Sequence, residues 1–254
     1  MNASSTQHFV SANSAARWSQ GLLWATLVIS VVAAVSGFFE ISLLHRIGAG
    51  LISETEANAN DLRQGAIGIL QFLITLATAA AFLTWFYRAH KNLPRLGARN
   101  LEYSPGWAVG GFFVPFLNLV RPYQVMREVW CRSYPQSPES GATLEGQSPQ
   151  TPTLTLVGWW WGLFLLSGAL GRISARIALA GDPTLQQLKI GSVASLISDL
   201  IDIPTAWLAI RIIGHITPWQ NERASHLPAP PVTLVPPVPP PPPTAPPPES
   251  LHVN

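Results

Sequence analysis

The chain has 254 residues, of which 48% are hydrophobic and only 11% are charged, so several large water-soluble domains are excluded. The formal net charge of +2 comes from 15 Lys and Arg that are scattered between apolar runs, which does not favour nucleic-acid binding. One cysteine, Cys131, excludes an internal disulfide, and six dispersed histidines predict no metal site and no cofactor.

Four long apolar runs predict transmembrane helices. The first, residues 18–39, has 22 uncharged residues that cover about 33 Å as a helix, enough for a hydrocarbon layer of roughly 30 Å. A cleavable signal peptide is the alternative, but the run exceeds the usual apolar core of about 7 to 15 residues. The other three predicted helices cover residues 65–87, 154–171 and 191–213.

A fifth apolar run, residues 106–120, is harder to place because 15 residues reach only about 22 Å and Gly110, Gly111 and Pro115 weaken a straight helix. If this run does not cross, ten Lys and Arg lie on the side of the termini and five lie opposite; a crossing gives eight against seven. The positive-inside rule therefore favours four crossings with both termini in the cytoplasm. The run is then predicted to be re-entrant or interfacial.

The next segment predicts an amphipathic helix that starts near Pro122 and has Val125, Met126, Val129 and Trp130 on one face. Two interpretations stay open. The helix lies in the membrane interface, or it is an ordinary surface helix packed on the bundle. Together, residues 106–132 are predicted to form a re-entrant or interfacial element.

The two ends of the chain differ from its middle. Residues 1–17 are predicted to be a cytoplasmic arm, residues 18–220 the membrane domain, and residues 221–254 a disordered proline-rich tail. The tail is either a docking ligand for a protein partner or a semi-rigid spacer. The predicted fold class is all-α integral membrane: four transmembrane helices, a re-entrant or interfacial segment and this tail.

Two carboxylates in the fourth predicted helix are its most informative polar groups. Near a helix centre, each of Asp199 and Asp202 costs about 2.5 to 3.5 kcal/mol. Their spacing places them on one face with Ser192, Ser195 and Ser198, which predicts a polar stripe directed at other helices or a water-filled cavity. Candidate partners that could compensate them are Asn118, Arg121, Arg172 and Arg176.

The aspartates leave two interpretations open. They form a proton or cation site with Pro204 as a hinge, or they make hydrogen-bonded polar contacts between helices that fix the helix register. The chain carries no HExxH, no GxSxG and no phosphate-cradling glycine loop. We therefore expect that it is not an enzyme.

Two long motifs are similar to those of a known protein family: WFYRAHKNLPRLG at residues 85–97 and SPGWAVGGFFVPFLNLVRPYQVMREVW at residues 104–130. They resemble a bacterial membrane family catalogued as domain of unknown function 4328. Arg211, Thr217 and Gln220 are similar to its closing pattern, so the similarity is expected to cover residues 65–223. The resemblance implies a multi-pass protein of the bacterial inner membrane, and it supplies no activity, substrate or catalytic residue.

The motifs have the character of a membrane-surface element. Candidate contacts to lipid headgroups are Arg88, Lys91, Arg95, Arg99 and Trp107. The expected function is a non-enzymatic membrane scaffold or a lipid and protein interaction module. Its expected partners are the bilayer with its anionic lipids, a protein at the tail, a second copy of the chain, and no nucleic acid. The alternative is a small proton- or cation-coupled transporter or channel component that uses Asp199 and Asp202.

Overall fold

The structure, a computed structural model, describes residues 9–49, 51, 53–135 and 154–227. Within these ranges it is all-helical. The elements in chain order are α1 (Asn13–Gly48), α2 (Glu54–Asn92), α3 (Trp107–Gly110), α4 (Arg121–Ser133), α5 (Thr155–Ala178) and α6 (Leu185–Ser225), with 3-10 turns at Leu93–Leu96 and Leu117–Leu119. Helices α1, α2, α5 and α6 are long and apolar enough to cross a membrane, which confirms the four predicted segments. Residues 136–153 and the proline-rich stretch from 228 onward lie outside the described residues.

Helices α2 and α6 extend beyond the predicted apolar runs at their N-termini because they begin at capping boxes. The Ser53 hydroxyl accepts the Glu56 N–H at 3.3 Å, and the Glu56 carboxylate accepts the Ser53 N–H at 3.4 Å. Thr184 and Gln187 form the same pair at the start of α6. Hydrogen bonding, not hydropathy, sets where α2 and α6 begin. A search for uncharged runs therefore places both N-termini too late in the sequence.

Helix α6 is continuous from Leu185 to Ser225, through Asp199, Asp202 and Pro204. Pro204 removes one N–H donor from the helix. The neighbouring Thr205 hydroxyl donates to the Ile201 carbonyl at 2.7 Å and supplies a local hydrogen bond in that turn. The helix continues to Ser225, so the first residues of the predicted tail are helical.

The four long helices form an open arc in the order α2, α1, α6, α5. Consecutive helices in this order pack closely, whereas the backbones of α2 and α5 do not approach each other closely. Helices α1 and α6 run antiparallel, because the Gln20 amide donates to the Ile210 carbonyl at 3.3 Å while Gly37 lies against Leu196. A gap therefore separates the two outer helices.

Residues 93–133, here called the end cap, cover one end of the arc. The Asn92 amide at the end of α2 donates to the Val10 carbonyl at 2.9 Å, just before α1. The Phe82 ring, late in α2, lies 5.7 Å from the Trp160 ring, early in α5. The connection from α2 to α5 thus leaves and re-enters the bundle at the same end. This agrees with four crossings; which side is cytoplasmic stays a prediction.

Candidate functional site: the end cap and the cleft

Helix α4 binds the bundle through its apolar face. Val125, Met126 and Val129 are fully buried, and Trp130 is nearly so. These are the four residues whose spacing predicts the amphipathic face, and in the structure protein atoms cover them. Of the two interpretations of this helix, the structure shows packing on the bundle.

The last turns of α6 hold the end cap by capping other helices. The Gln220 amide donates to the Ala89 carbonyl and to the Ser133 hydroxyl, both at 2.9 Å. The Arg223 guanidinium donates to the carbonyls of Leu96 and Arg132. Carbonyls at helix ends lack intrahelical donors, so these two side chains satisfy groups that α2, the 3-10 turn and α4 leave open.

A second polar contact ties α4 to α2. The Glu128 carboxylate lies 3.0 Å from His90 Nε2 and accepts the Glu102 N–H at 2.6 Å. The His90 side chain is fully buried. Charge-assisted hydrogen bonds of this kind are stronger than neutral ones, so Glu128 fixes both α4 and the loop before α3.

Arg121 is held between two aromatic rings of the end cap. Its guanidinium lies 4.8 Å from the Tyr103 ring centroid and 5.1 Å from that of Trp107. Burial raises the pKa of Tyr103, the adjacent Glu102 raises it further, and Arg121 opposes both. Gly111 sits beside this stack: a Cβ there would lie 2.9 Å from the Trp107 carbonyl oxygen and 3.0 Å from Arg121 Cγ.

The segment after α3 bridges the gap between the two outer helices. The Phe112 ring meets the rings of Phe82 in α2 and Phe164 in α5 edge-on, at 6.5 and 6.4 Å. The Trp161 indole N–H donates to the Leu119 carbonyl at 2.8 Å. These contacts fix residues 112–119 between α2 and α5 at the capped end.

The same segment leaves other apolar side chains uncovered. Phe113 is 71% exposed and Phe116 is 87% exposed, and Leu119 and Val120 are also exposed. Phe116 has φ 62°, in the left-handed region that a bulky residue rarely adopts. Backbone hydrogen bonds from Asn118 N–H to the Val114 carbonyl at 2.9 Å and from Leu119 N–H to the Phe116 carbonyl at 3.3 Å close turns around this residue, and the result is a fixed apolar projection, residues 113–120, at the rim of the end cap.

The two aspartates of α6 make hydrogen bonds to different helices. The Gln71 amide of α2 donates to Asp199 Oδ1 at 2.7 Å, and the Ser167 hydroxyl of α5 donates to Asp202 Oδ1 at 2.5 Å. Ser167 also contacts the Ser198 hydroxyl at 3.0 Å. The polar stripe of α6 therefore faces its neighbours, and its two carboxylates link the outer helices to the centre of the arc.

Each aspartate lines a different cavity inside the arc. Asp202 lines a cavity of about 330 Å³ beneath Phe112, with mostly apolar and aromatic walls. Asp199 lines a second cavity of about 380 Å³ toward the other end, together with Glu40, Gln64 and Gln71. The hydrogen bond between Gln71 and Asp199 thus borders the more polar of the two. We call the cavity at Asp202 the cleft.

A family model described as Domain of unknown function (DUF4328) matches residues 49–218, well over half of the chain. The chain belongs to this family. Compared with the predicted range of 65–223, the DUF4328 match begins earlier, at the loop before α2, and ends before Gln220 and Arg223. It contains the whole end cap, the cleft-lining parts of α2, α5 and α6, and Thr217, whose hydroxyl accepts the Trp85 indole N–H at 3.0 Å. Searches of curated proteins and of solved structures give no match.

The structure does not bring the other candidate polar residues to the aspartates. Arg121 is stacked in the end cap, and Asn118 lies in the 3-10 turn of the same element. Arg172 and Arg176 are exposed and lie roughly opposite Ser167 around α5. Each carboxylate instead accepts a hydrogen bond from an uncharged side chain, Gln71 or Ser167, which avoids the desolvation of a second buried charge.

The candidate lipid contacts all lie at the capped end. Arg88 borders a shallow surface hollow beside Trp18, and the Lys91 ammonium lies 5.7 Å from the Tyr87 ring centroid. Arg95 is half-buried, Arg99 is exposed, and Trp107 is half-buried under Arg121.

Sequence reasoning missed two partners of the aspartates, Gln71 and Ser167. Both could have been inferred from the sequence. An amide or a hydroxyl inside an uncharged membrane span needs a hydrogen-bond partner, and in lipid that partner is a side chain of a neighbouring helix. Among the described residues, no group of three or more His, Cys, Asp or Glu side chains is placed to hold a metal ion.

Proposed function

We propose that the chain is a non-enzymatic membrane scaffold, or lipid and protein interaction module, whose end cap contacts anionic lipid. The observation that carries the proposal is the fixed apolar projection at residues 113–120, at the same end of the bundle as Arg88 and Lys91. Apolar side chains that insert between headgroups and basic side chains that bind the headgroups make a two-part membrane contact. The cytoplasmic side of a bacterial inner membrane is the proposed location.

A fluorophore on the projection tests this role. In a Cys131→Ser background, Phe116→Cys carries an environment-sensitive label, and Phe39→Cys, an exposed position far along α1, carries the same label as the control. The labelled proteins are placed in nanodiscs with brominated phosphatidylglycerol or brominated phosphatidylcholine. We expect stronger quenching by the anionic lipid at position 116 and equal quenching at position 39. Equal quenching at both positions refutes an anionic preference.

Variants of the basic side chains provide a second arm of this experiment. Changing Arg88 and Lys91 to Gln removes two basic groups, each worth about 1 kcal/mol near an anionic surface, so the preference falls several-fold for each. The matched control changes Arg172 and Arg176, which are exposed on α5, to Gln. We expect the control to retain the preference. If both pairs reduce it equally, net charge rather than the basic side chains at the capped end explains the binding.

A second candidate function, proton or cation transport, is favoured by one observation: Asp199 and Asp202 line separate cavities inside the arc. Its test is flux in liposomes for the double change Asp199→Asn and Asp202→Asn. Asp182→Asn, in the loop before α6, is the control. Unaltered flux in the double variant removes the transport hypothesis.

A further inference from the structure

The cleft has the size of a small-ligand site. Its volume of about 330 Å³ lies at the lower end of the range for such cavities, roughly 300 to 1,000 Å³. All four long helices line it, and Phe112 of the end cap closes it on one side. The backbones of α2 and α5 do not approach each other closely, so the cleft faces the gap between them, which aromatic side chains span at the capped end. A molecule dissolved in the bilayer could enter by this route.

The walls of the cleft are aromatic. Phe82, Trp160 and Phe164 belong to two helices, and Phe112 joins them from the end cap. The Trp160 ring lies 5.7 Å from that of Phe82 and 6.3 Å from that of Phe164. The faces of such rings attract organic cations, with Trp the strongest.

One carboxylate lies among these rings. Asp202 Oδ1 accepts the Ser167 hydroxyl, and the other oxygen of Asp202 accepts no hydrogen bond from the described residues. That oxygen has accessible surface. The described residues form no ion pair with Asp202, and the cleft lining contains no Lys, Arg or His.

Threonine hydroxyls supply the remaining polar surface. The hydroxyls of Thr26 and Thr78 lie 3.1 Å apart and pair with each other. Thr75 and Thr205 complete the set around the cleft. Hydroxyls are neutral, so they leave the charge of Asp202 uncompensated.

We propose that the cleft binds a lipophilic organic cation, with the ammonium group at Asp202 and the apolar body against Phe82, Trp160 and Phe164. A lipid acyl chain would fill the apolar walls but would leave the carboxylate unmatched. Charge complementarity therefore favours the cation. Binding here requires neither transport nor the lipid contact of the end cap, so this proposal is independent of both proposed functions.

A pair of isosteres tests the proposal without any mutation. Benzyltrimethylammonium and neopentylbenzene have the same shape, and only the first carries a charge. Quenching of the tryptophan fluorescence of the full chain in nanodiscs measures the dissociation constant of each. We expect the cation to bind at least about tenfold more tightly than its neutral isostere, because only the cation pairs with a buried charge. Equal affinity, or tighter binding of the neutral compound, overturns the proposal.

Variants locate the site. Asp202→Asn keeps the shape of the side chain and should weaken the binding of benzyltrimethylammonium by about tenfold or more while leaving neopentylbenzene unchanged. Asp182→Asn should change neither. Trp160→Leu, a second variant in case Asp202→Asn does not fold, should weaken binding of the cation more than that of the isostere. Unchanged cation binding in a folded Asp202→Asn or Trp160→Leu protein refutes the site.

Discussion

Replacing Gln220 by Leu removes the side chain that joins α6 to both α2 and α4. The Ala89 carbonyl and the Ser133 hydroxyl each lose the 2.9 Å contact with the Gln220 amide, and residues 89 and 133 are fully buried. A buried polar group left without a partner costs about 1 to 3 kcal/mol. We expect the free energy of unfolding to fall by about 2 to 4 kcal/mol, since leucine restores some apolar contact.

Unfolding in detergent micelles and amide hydrogen exchange together measure this effect. Exchange should accelerate in residues 89–96 and 121–133, which are the segments that contain the Gln220 partners Ala89 and Ser133, and not in the far halves of α1 and α2. Gln124→Leu is the control, because Gln124 lies half-buried on α4 and makes none of these contacts. If Gln220→Leu changes stability by no more than Gln124→Leu, the end cap does not depend on this clamp.

Three further predictions concern the end cap. Gly111→Ala should cost about 1 to 3 kcal/mol of unfolding free energy through its 2.9 Å clash, whereas Gly110→Ala meets nothing within 4 Å and should be neutral. Glu128→Ala should accelerate exchange of the residue 102 amide about tenfold or more, and the exposed Glu222→Ala should not. Burial raises the pKa of Cys131 against two nearby arginines, so maleimide labelling should keep accelerating above the ordinary thiol pKa of about 8.5. The same thiol in the unfolded chain should show the ordinary profile.

Hydropathy predicted the four long helices because a stretch without charges has few alternatives in lipid. The same criterion missed how far they extend. Residues 54–64 contain several charged side chains and yet continue α2, since the capping box at Ser53 starts the helix well before the apolar run. Such extension depends on local hydrogen bonds, which a hydropathy window does not measure.

The buried face of α4 could be predicted from the sequence, because its apolar residues recur with the period of an α-helix and therefore lie on one side of it. The surface that covers this face was not, because an apolar stripe fits lipid and protein equally well. Similarly, the spacing of Asp199 and Asp202 predicted that they share a face, but not that Gln71 and Ser167 would bind them. Those contacts join α6 to α2, which is distant in sequence, and to α5, which directly precedes it, and only the three-dimensional arrangement of the arc shows which side chains meet.

The end cap and the cleft are physically connected through Phe112. Phe112 belongs to the end cap, and its ring packs against α2 and α5 and forms one wall of the cavity at Asp202. Any variant that loosens the end cap, such as Gln220→Leu, should therefore also alter the shape of the cleft and the binding of a cation there. The two proposed sites can be separated only by changes that touch one of them. Asp202→Asn leaves the contacts of the end cap intact, and Arg88→Gln leaves the lining of the cleft intact.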